Sequence, residues 1–379
     1  MSRLKLTRRT WARFGRYLYR RHSLRAIPTQ VGLCVTHLCN IRCVYCMRET
    51  FQPPRDSMTV ERVKKLMHRM PYVSGVCIMG LCEPLMNPQT PDIVRWLSDE
   101  GGYSTSLTTN GMIPLNLNIL DALLRVDDMV FSIDTSDPET FRYLRGGADL
   151  NRVMENLERL LQFKRELGLG RFDNPPIHIN AVITSRNFSQ IPGLIKMLEP
   201  HASELTYLMV DPITRPDYQD FEKPLMIQRT QFEQQIGEYR RIAGESPLKI
   251  VGFDYMLEPS SNWRDCPMSW DGMFVQPNGD AYFCYNYEYV LGNVFQQNPL
   301  FVWNSSRAKQ FRRKLLTSDP PLAQCRSCNF ARKGWQPSGV YYQTKQDVIS
   351  WETPLANGKL FSGEEVPSTS FARYESHVV

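Results

Sequence analysis

Cys39, Cys43 and Cys46 fall within the eight residues CNIRCVYC, in the spacing C-x3-C-x2-C. Thiolates this close together are suited to holding a metal or a cluster. A structural zinc site closes with four protein ligands, and a cubane of four irons takes one outer ligand on each iron. Three cysteines therefore leave one iron of a cubane open to some other ligand. A second set lies far downstream: Cys266 and Cys284 flank PMSWDGMFVQPNGDAYF, and Cys325 and Cys328 form C-x2-C. On residue type alone these four read as a zinc ribbon, because two cysteine pairs are the usual zinc arrangement.

The elements that must position these groups alternate. Short apolar stretches, TQVGLCVTHL, SGVCIMG, GYSTSLTTN, DDMVFSID, PIHINAVIT and ELTYLMV, are separated by helical patterns such as VERVKKLMHRM. That alternation is the mark of βα units around a parallel sheet. Six such units predict an α/β fold, a partial (β/α)6 barrel of the TIM type, with its chemistry in the loops at the carboxyl ends of its strands. The first cysteine loop follows the first strand. The helical stretch DPETFRYLRGGADLNRVMENLERLLQFKREL is expected to break at Gly146 and Gly147, and Asn278-Gly279 between alternating apolar runs predicts a hairpin.

With aromatic Tyr45 before its last cysteine, the first loop resembles the C-x3-C-x-aromatic-C motif of the radical S-adenosylmethionine (SAM) superfamily. The resemblance implies a 4Fe–4S cluster on Cys39, Cys43 and Cys46 whose open iron is filled by the amino and carboxylate groups of SAM. MGLCEPLMNP resembles the family's GGEP turn, which meets the SAM amino group; Gly80, Glu83 and Pro84 match it, and Cys82 replaces its second glycine. TTNG, containing Asn110, and FSIDTSDPETFRYLRGG follow in the family's order, making Asn110, Ser132 and Asp134 candidates for contacting SAM. For Asp134 the bottom-up alternative is a cap of the turn that follows its strand.

The downstream cysteines resemble the SPASM or twitch extension of the same superfamily. No cysteine follows Cys328. The shorter twitch form is therefore expected, with one auxiliary 4Fe–4S cluster on Cys266, Cys284, Cys325 and Cys328. That division gives an N-terminal arm at 1–28, the barrel at 29–250, the auxiliary-cluster domain at 251–340 and a loosely ordered extension at 341–379. Of ten cysteines, Cys34, Cys77 and Cys82 are left over; the first two read as core. Cys82 should face the cluster end of the barrel, where a thiol is a candidate hydrogen donor.

The resemblance implies reductive cleavage of SAM to a 5′-deoxyadenosyl radical, hydrogen abstraction from a substrate, and a reducing partner such as flavodoxin or ferredoxin. With about 28 residues ahead of the first strand there is no room for a peptide-binding domain, so a small-molecule or glycan-like substrate (sugar, cyclitol or nucleoside-like) is favoured over a peptide. Oxidation, epimerisation and formation of a new bond, as in the cross-linking of a peptide by a maturase, all remain open. Tyr282, Tyr285, Tyr287 and Tyr289 beside the hairpin read as packing.

The chain of 379 residues carries a formal charge of +6, but residues 1–25 hold nine Lys or Arg and no acid, leaving 36 basic against 39 acidic side chains elsewhere. In that arm Trp11, Phe14 and Leu18 share a helical face, with Arg9, Arg13, Arg16 and Arg20 largely off it. Such a segment lies on an anionic membrane surface or packs its aromatics on the body, with nucleic acid third. No apolar run reaches spanning length and no signal-peptide h-region opens the chain, so the cytoplasm, a reducing compartment, is the expected location. A zinc-bound RNA-binding protein and a scaffold that keeps its clusters without catalysis are the competing readings. The first leaves the βα series and the GGEP-like turn without purpose.

Overall fold

The computed structural model describes residues 26–48, 54–212, 229–253, 266, 268–284, 289–317, 321–322 and 325, with the backbone alone at 212 and 229–232. The basic arm at 1–25, Tyr285, Tyr287, Cys328 and the tail from 341 lie outside them.

Six strands, β1 (Gln30–Leu33), β2 (Gly75–Ile78), β3 (Ser104–Thr109), β4 (Asp128–Ser132), β5 (Ile177–Ile183) and β6 (Leu205–Pro212), pair in chain order, each parallel to the last. These are the strands the apolar runs predict. Both faces of the sheet are covered, so every residue of β2 and of β4 is buried. The intervening helices are α1 (Val60–His68), α2 (Thr90–Arg95), α3 (Leu117–Leu123), α4 (Pro138–Leu144), α5 (Leu150–Glu166), α6 (Ile191–Leu198) and α7 (Arg229–Glu245). Several start on a side chain that accepts an orphan backbone N–H: Thr59 from Arg62, Asn116 from Ile119, Asp137 from Thr140 and Asp149 from Asn151. The break between α4 and α5 falls at Gly146 and Gly147, as the sequence requires.

Alternation along β4 and β5 sorts their side chains. Met129, Phe131, Ile177, Ile179 and Ala181 join the main core with Leu120, Val153 and Leu157 of the helices. Asp128, Val130, Ser132, His178 and Asn180 take the opposite, inner face, with Val130 beside His178 and Ser132 beside Asn180 in register. That inner face is polar: His178 Nδ1 meets Asp128 Oδ1 at 3.1 Å, and its ring stacks on Tyr207 with centroids 4.3 Å apart.

The sheet is larger than the sequence pattern predicts. β7 (Ile250–Val251) extends it beyond β6. After the four-residue α8 (Met268–Asp271), β8 (Gly272–Val275) pairs parallel with β1 on the other edge. β9 (Asp280–Tyr282) returns antiparallel through the Asn278-Gly279 turn, and β10 (Gly292–Asn293) follows, giving the order β10-β9-β8-β1-β2-β3-β4-β5-β6-β7. α9 (Pro299–Trp303) and α10 (Ser306–Leu315) pack against this end. One sheet thus runs through residue 250, where the sequence reading divides barrel from auxiliary segment.

Candidate active site

The cysteine loop after β1 is pinned from several directions. Val44 N–H donates to Leu144 O at the end of α4 (3.0 Å), and Glu83 N–H donates to Leu38 O (2.9 Å). Arg48 closes the loop on itself, its Nε and Nη2 donating to His37 O at 3.2 and 3.0 Å. His37 Nε2 in turn lies 2.8 Å from Gln276 Oε1, in the β8–β9 hairpin. Gly146, with φ +55°, sits so close that a Cβ there would lie 1.8 Å from Arg42 O. Only glycine fits that approach.

Asp134, placed just after β4, is the hub beneath the loop. Its Oδ1 accepts from Arg145 Nη2 (2.6 Å) and Val182 N–H (2.8 Å); its Oδ2 accepts from Arg145 Nε (2.7 Å) and from the Tyr45 hydroxyl. Arg145 also lies over the Tyr45 ring at 5.7 Å. The accepting positions of this carboxylate, expected to face SAM, are engaged within the protein, where they fix the aromatic residue of the cysteine motif. Tyr45 is itself buried in this cluster with Leu144, and burial, ahead of any partner, holds its hydroxyl protonated. Ser132 ends β4 on the inner face, buried.

Glu83 ties the second loop to the third. Its Oε1 accepts from Thr109 Oγ1 (2.9 Å) and Leu85 N–H (3.1 Å), and its Oε2 from Asn110 N–H (2.7 Å). Burial pushes the Glu83 carboxyl up to about 7 against the pull of those three donors. Pro84 starts the short 3-10 turn that follows, capped by Glu83. The Asn110 side chain bonds Asn40 Oδ1 at 2.8 Å and brings Nδ2 to 3.9 Å from the sulfur of Cys39, so it reaches a cysteine of the loop directly. Gly80 packs on Cys34, where a Cβ would lie 2.8 Å from its sulfur. Cys82 also meets the Cys34 thiol; that contact, then burial, holds Cys82 protonated well above the ordinary thiol range. Cys34 donates to Thr36 O at 3.0 Å.

Burial, with the charge of Cys46 adding to it, raises Cys39 to about 11 and Cys43 to about 12. Ionising Cys39 and Cys43 in this partly desolvated loop therefore costs free energy unless cationic iron compensates. Among the described residues no three His, Cys, Asp or Glu lie close enough to share one ion. A cubane does not require that, since each of its irons takes its own outer ligand.

The second thiol group adjoins the same turn. Cys266 and Cys284 pack against a buried cluster of Met268, Phe274 and Tyr282, and so do Met79 and Leu81, the residues on either side of Gly80. Cys325 is half-buried, its N–H on Leu322 O at 3.1 Å, and burial raises its thiol.

The model of the Radical SAM superfamily matches residues 33–170, and that of an iron–sulfur cluster-binding domain, SPASM, matches residues 266–329. The chain belongs to the radical SAM superfamily. Its cofactors are accordingly SAM and 4Fe–4S clusters, and the three-thiol loop, with its aromatic residue and amide donor, fits the first of them. Among relatives, the tungsten-containing aldehyde ferredoxin oxidoreductase cofactor-modifying protein of Pyrococcus furiosus is 22% identical over 320 residues, covering 78% of this chain and 85% of that protein. A GTP 3′,8-cyclase of Rhizobium etli is 30% identical over 220 residues, 55% of this chain and 59% of the cyclase. Among solved structures, Streptococcus suis SuiB bound to S-adenosylmethionine superposes with a TM-score of 0.58 at 17% identity, over 85% of this chain and 76% of that one. The protein anSMEcpe with bound AdoMet gives 0.53 at 14% identity, over 76% and 84%. These likenesses are of fold.

Three residues of this radical SAM site escape sequence reasoning. Arg145 stands beside the glycine pair that the sequence marks as a break, so its position, though not its partner, was within reach. His37 and Gln276 meet across 239 residues, and no local signal connects them.

Proposed function

We propose that Cys39, Cys43 and Cys46 hold the SAM-binding cluster, that Cys266, Cys284, Cys325 and Cys328 hold one auxiliary cluster, and that the enzyme oxidises a polar small molecule. The observation carrying this reading is that Met79 and Leu81 pack on the same buried layer, Met268, Phe274 and Tyr282, as Cys266 and Cys284 do. The turn of Gly80, Glu83 and Pro84 is thereby one layer of side chains from the second thiol group, a separation suited to passing an electron from a substrate radical. When bound, the first cluster and SAM supply the 5′-deoxyadenosyl radical. The chain's own residues do the rest: Asp134 and Arg145 fix Tyr45, Asn110 directs an amide toward the sulfur of Cys39, and Glu83 locks the loops after β2 and β3.

Toward the carboxyl ends of the strands the inner face carries Ser132 and Asn180, which favour a substrate rich in hydrogen-bonding groups, such as a sugar, cyclitol or nucleoside. The GTP 3′,8-cyclases among the relatives carry a nucleotide in their names, in line with that class. A second reading, epimerisation, is favoured by Cys82, a protonated thiol held beside Cys34. Conversion by Cys82→Ala to inverted product carrying solvent-derived hydrogen would eliminate that thiol as donor. The electron donor belongs to the class of flavodoxins and ferredoxins, and membrane contact through residues 1–25 belongs to the same proposal.

The test is anaerobic reconstitution followed by dithionite and SAM. The wild type should contain about eight irons and form 5′-deoxyadenosine without substrate, and the Cys39, Cys43 and Cys46 triple Ala variant should hold about four and form none. Zinc in place of iron after anaerobic purification, or wild-type iron content without SAM cleavage, would overturn the reading.

A further inference from the structure

Arg312, on α10, is completely buried. Its guanidinium lies 4.8 Å from the Trp303 ring, 5.0 Å from Phe283 and 5.5 Å from Trp270, and its Nε donates to Ser269 O at 2.7 Å. Burial lowers its pKa only to about 9, so the group stays cationic at neutral pH.

Its partners are the very segments that carry the second thiol group. Ser269 follows Cys266 by three residues and its hydroxyl donates to Cys266 O at 3.5 Å. Phe283 immediately precedes Cys284, and its ring is packed edge-on against Trp303, with centroids 4.8 Å apart. A positive charge is therefore buried against the segments that leave Cys266 and enter Cys284, within an aromatic wall that keeps the local dielectric low.

We propose that Arg312 raises the reduction potential of the auxiliary cluster and so makes it the electron acceptor of the reaction. This rests on the assignment of Cys266, Cys284, Cys325 and Cys328 as its ligands. Four thiolates give such a cluster a net negative charge, and one-electron reduction adds another. A nearby fixed cation stabilises the reduced form more than the oxidised one, and net charge and burial are among the factors that set cluster potentials. A packing role would account for the aromatic contacts equally well, but it carries no consequence for the potential.

The experiment uses the full chain with Cys39, Cys43 and Cys46 replaced by Ala, so that only the auxiliary cluster contributes. Iron content and an EPR-monitored redox titration are compared for Arg312, R312K and R312M. The expected result is about four irons in all three. R312M should lose about tenfold in the equilibrium constant for reduction, about 59 mV for one electron, while R312K keeps most of the parent value. If R312M loses iron, Arg312→Gln, which keeps a donor for Ser269 O, carries the same comparison. Loss of iron from the Arg312 parent itself sinks the ligand assignment. Iron retained with an unchanged potential in the neutral variant, or a shift in R312K as large as in R312M, overturns the role given to Arg312.

Discussion

At the scale of single residues the site depends most on Asp134. Its side chain is 0% exposed and that of Arg145 only 7%, so the pair is buried and each charge needs the other. Removing one partner of such a pair typically costs about 3–5 kcal/mol, because the remaining charge is left desolvated. Arg145→Leu should therefore lower stability by about that much, read as a drop in the guanidinium midpoint of the iron-loaded chain. Tyr45→Phe, which deletes a single hydrogen bond to the carboxylate, should cost less, about 1.5–3 kcal/mol. Equal effects would mean that the ion pair is not the dominant contact. The cysteines of the first loop were legible as a group because C-x3-C-x2-C sets three thiols within eight residues. Asp134 was legible as a polar residue ending its strand but its partners were not, since Arg145 and Val182 reach it only through the folded barrel.

Among the elements, the link between α4 and α5 positions the cysteine loop. The glycine pair was readable as a helix break, yet the two glycines do different work. At Gly146 a Cβ would collide with the backbone at Arg42, while at Gly147, with φ +97°, nothing lies within 4 Å. A residue with a Cβ pays roughly 1–2 kcal/mol for left-handed backbone, so both Ala variants should unfold earlier. Only Gly146→Ala should also displace the cysteine loop. Anaerobic iron analysis should then find about four irons in that variant and about eight in Gly147→Ala. Matching iron contents would show that the loop relaxes around the added methyl group. The difference between the two glycines could not be read from the sequence, because it arises from a carbonyl some hundred residues earlier in the chain.

For the molecule as a whole, the decisive feature is the seam between β1 and β8. Local pattern predicted both strands and the hairpin that follows, but not that β8 would find β1, since parallel partners far apart in sequence leave no mark in either segment. The seam is more than two strands wide in its consequences: Cys34 N–H donates to Val275 O at 3.0 Å, Thr29 N–H to Asp271 O at 2.9 Å, and Ala26 N–H to the Asn304 side chain at 2.9 Å. It also brings His37 to Gln276, tying the first cysteine loop to the hairpin that leads to Cys284. A chain ending at residue 253 would lose β8, leave unpaired the backbone groups of β1 that face it, and uncover apolar surface now shared with Met273 and Val275. Such a truncation should aggregate or unfold at markedly lower temperature, and it should fail to keep the four irons expected on Cys39, Cys43 and Cys46 even though all three cysteines remain. The full chain should unfold in a single calorimetric transition. A truncated chain that is monomeric, thermally unchanged and able to cleave SAM would mean that the auxiliary segment is an appendage. The pairing of β8 with β1 argues instead that the segment carrying the second thiol group completes the sheet on which the first is built.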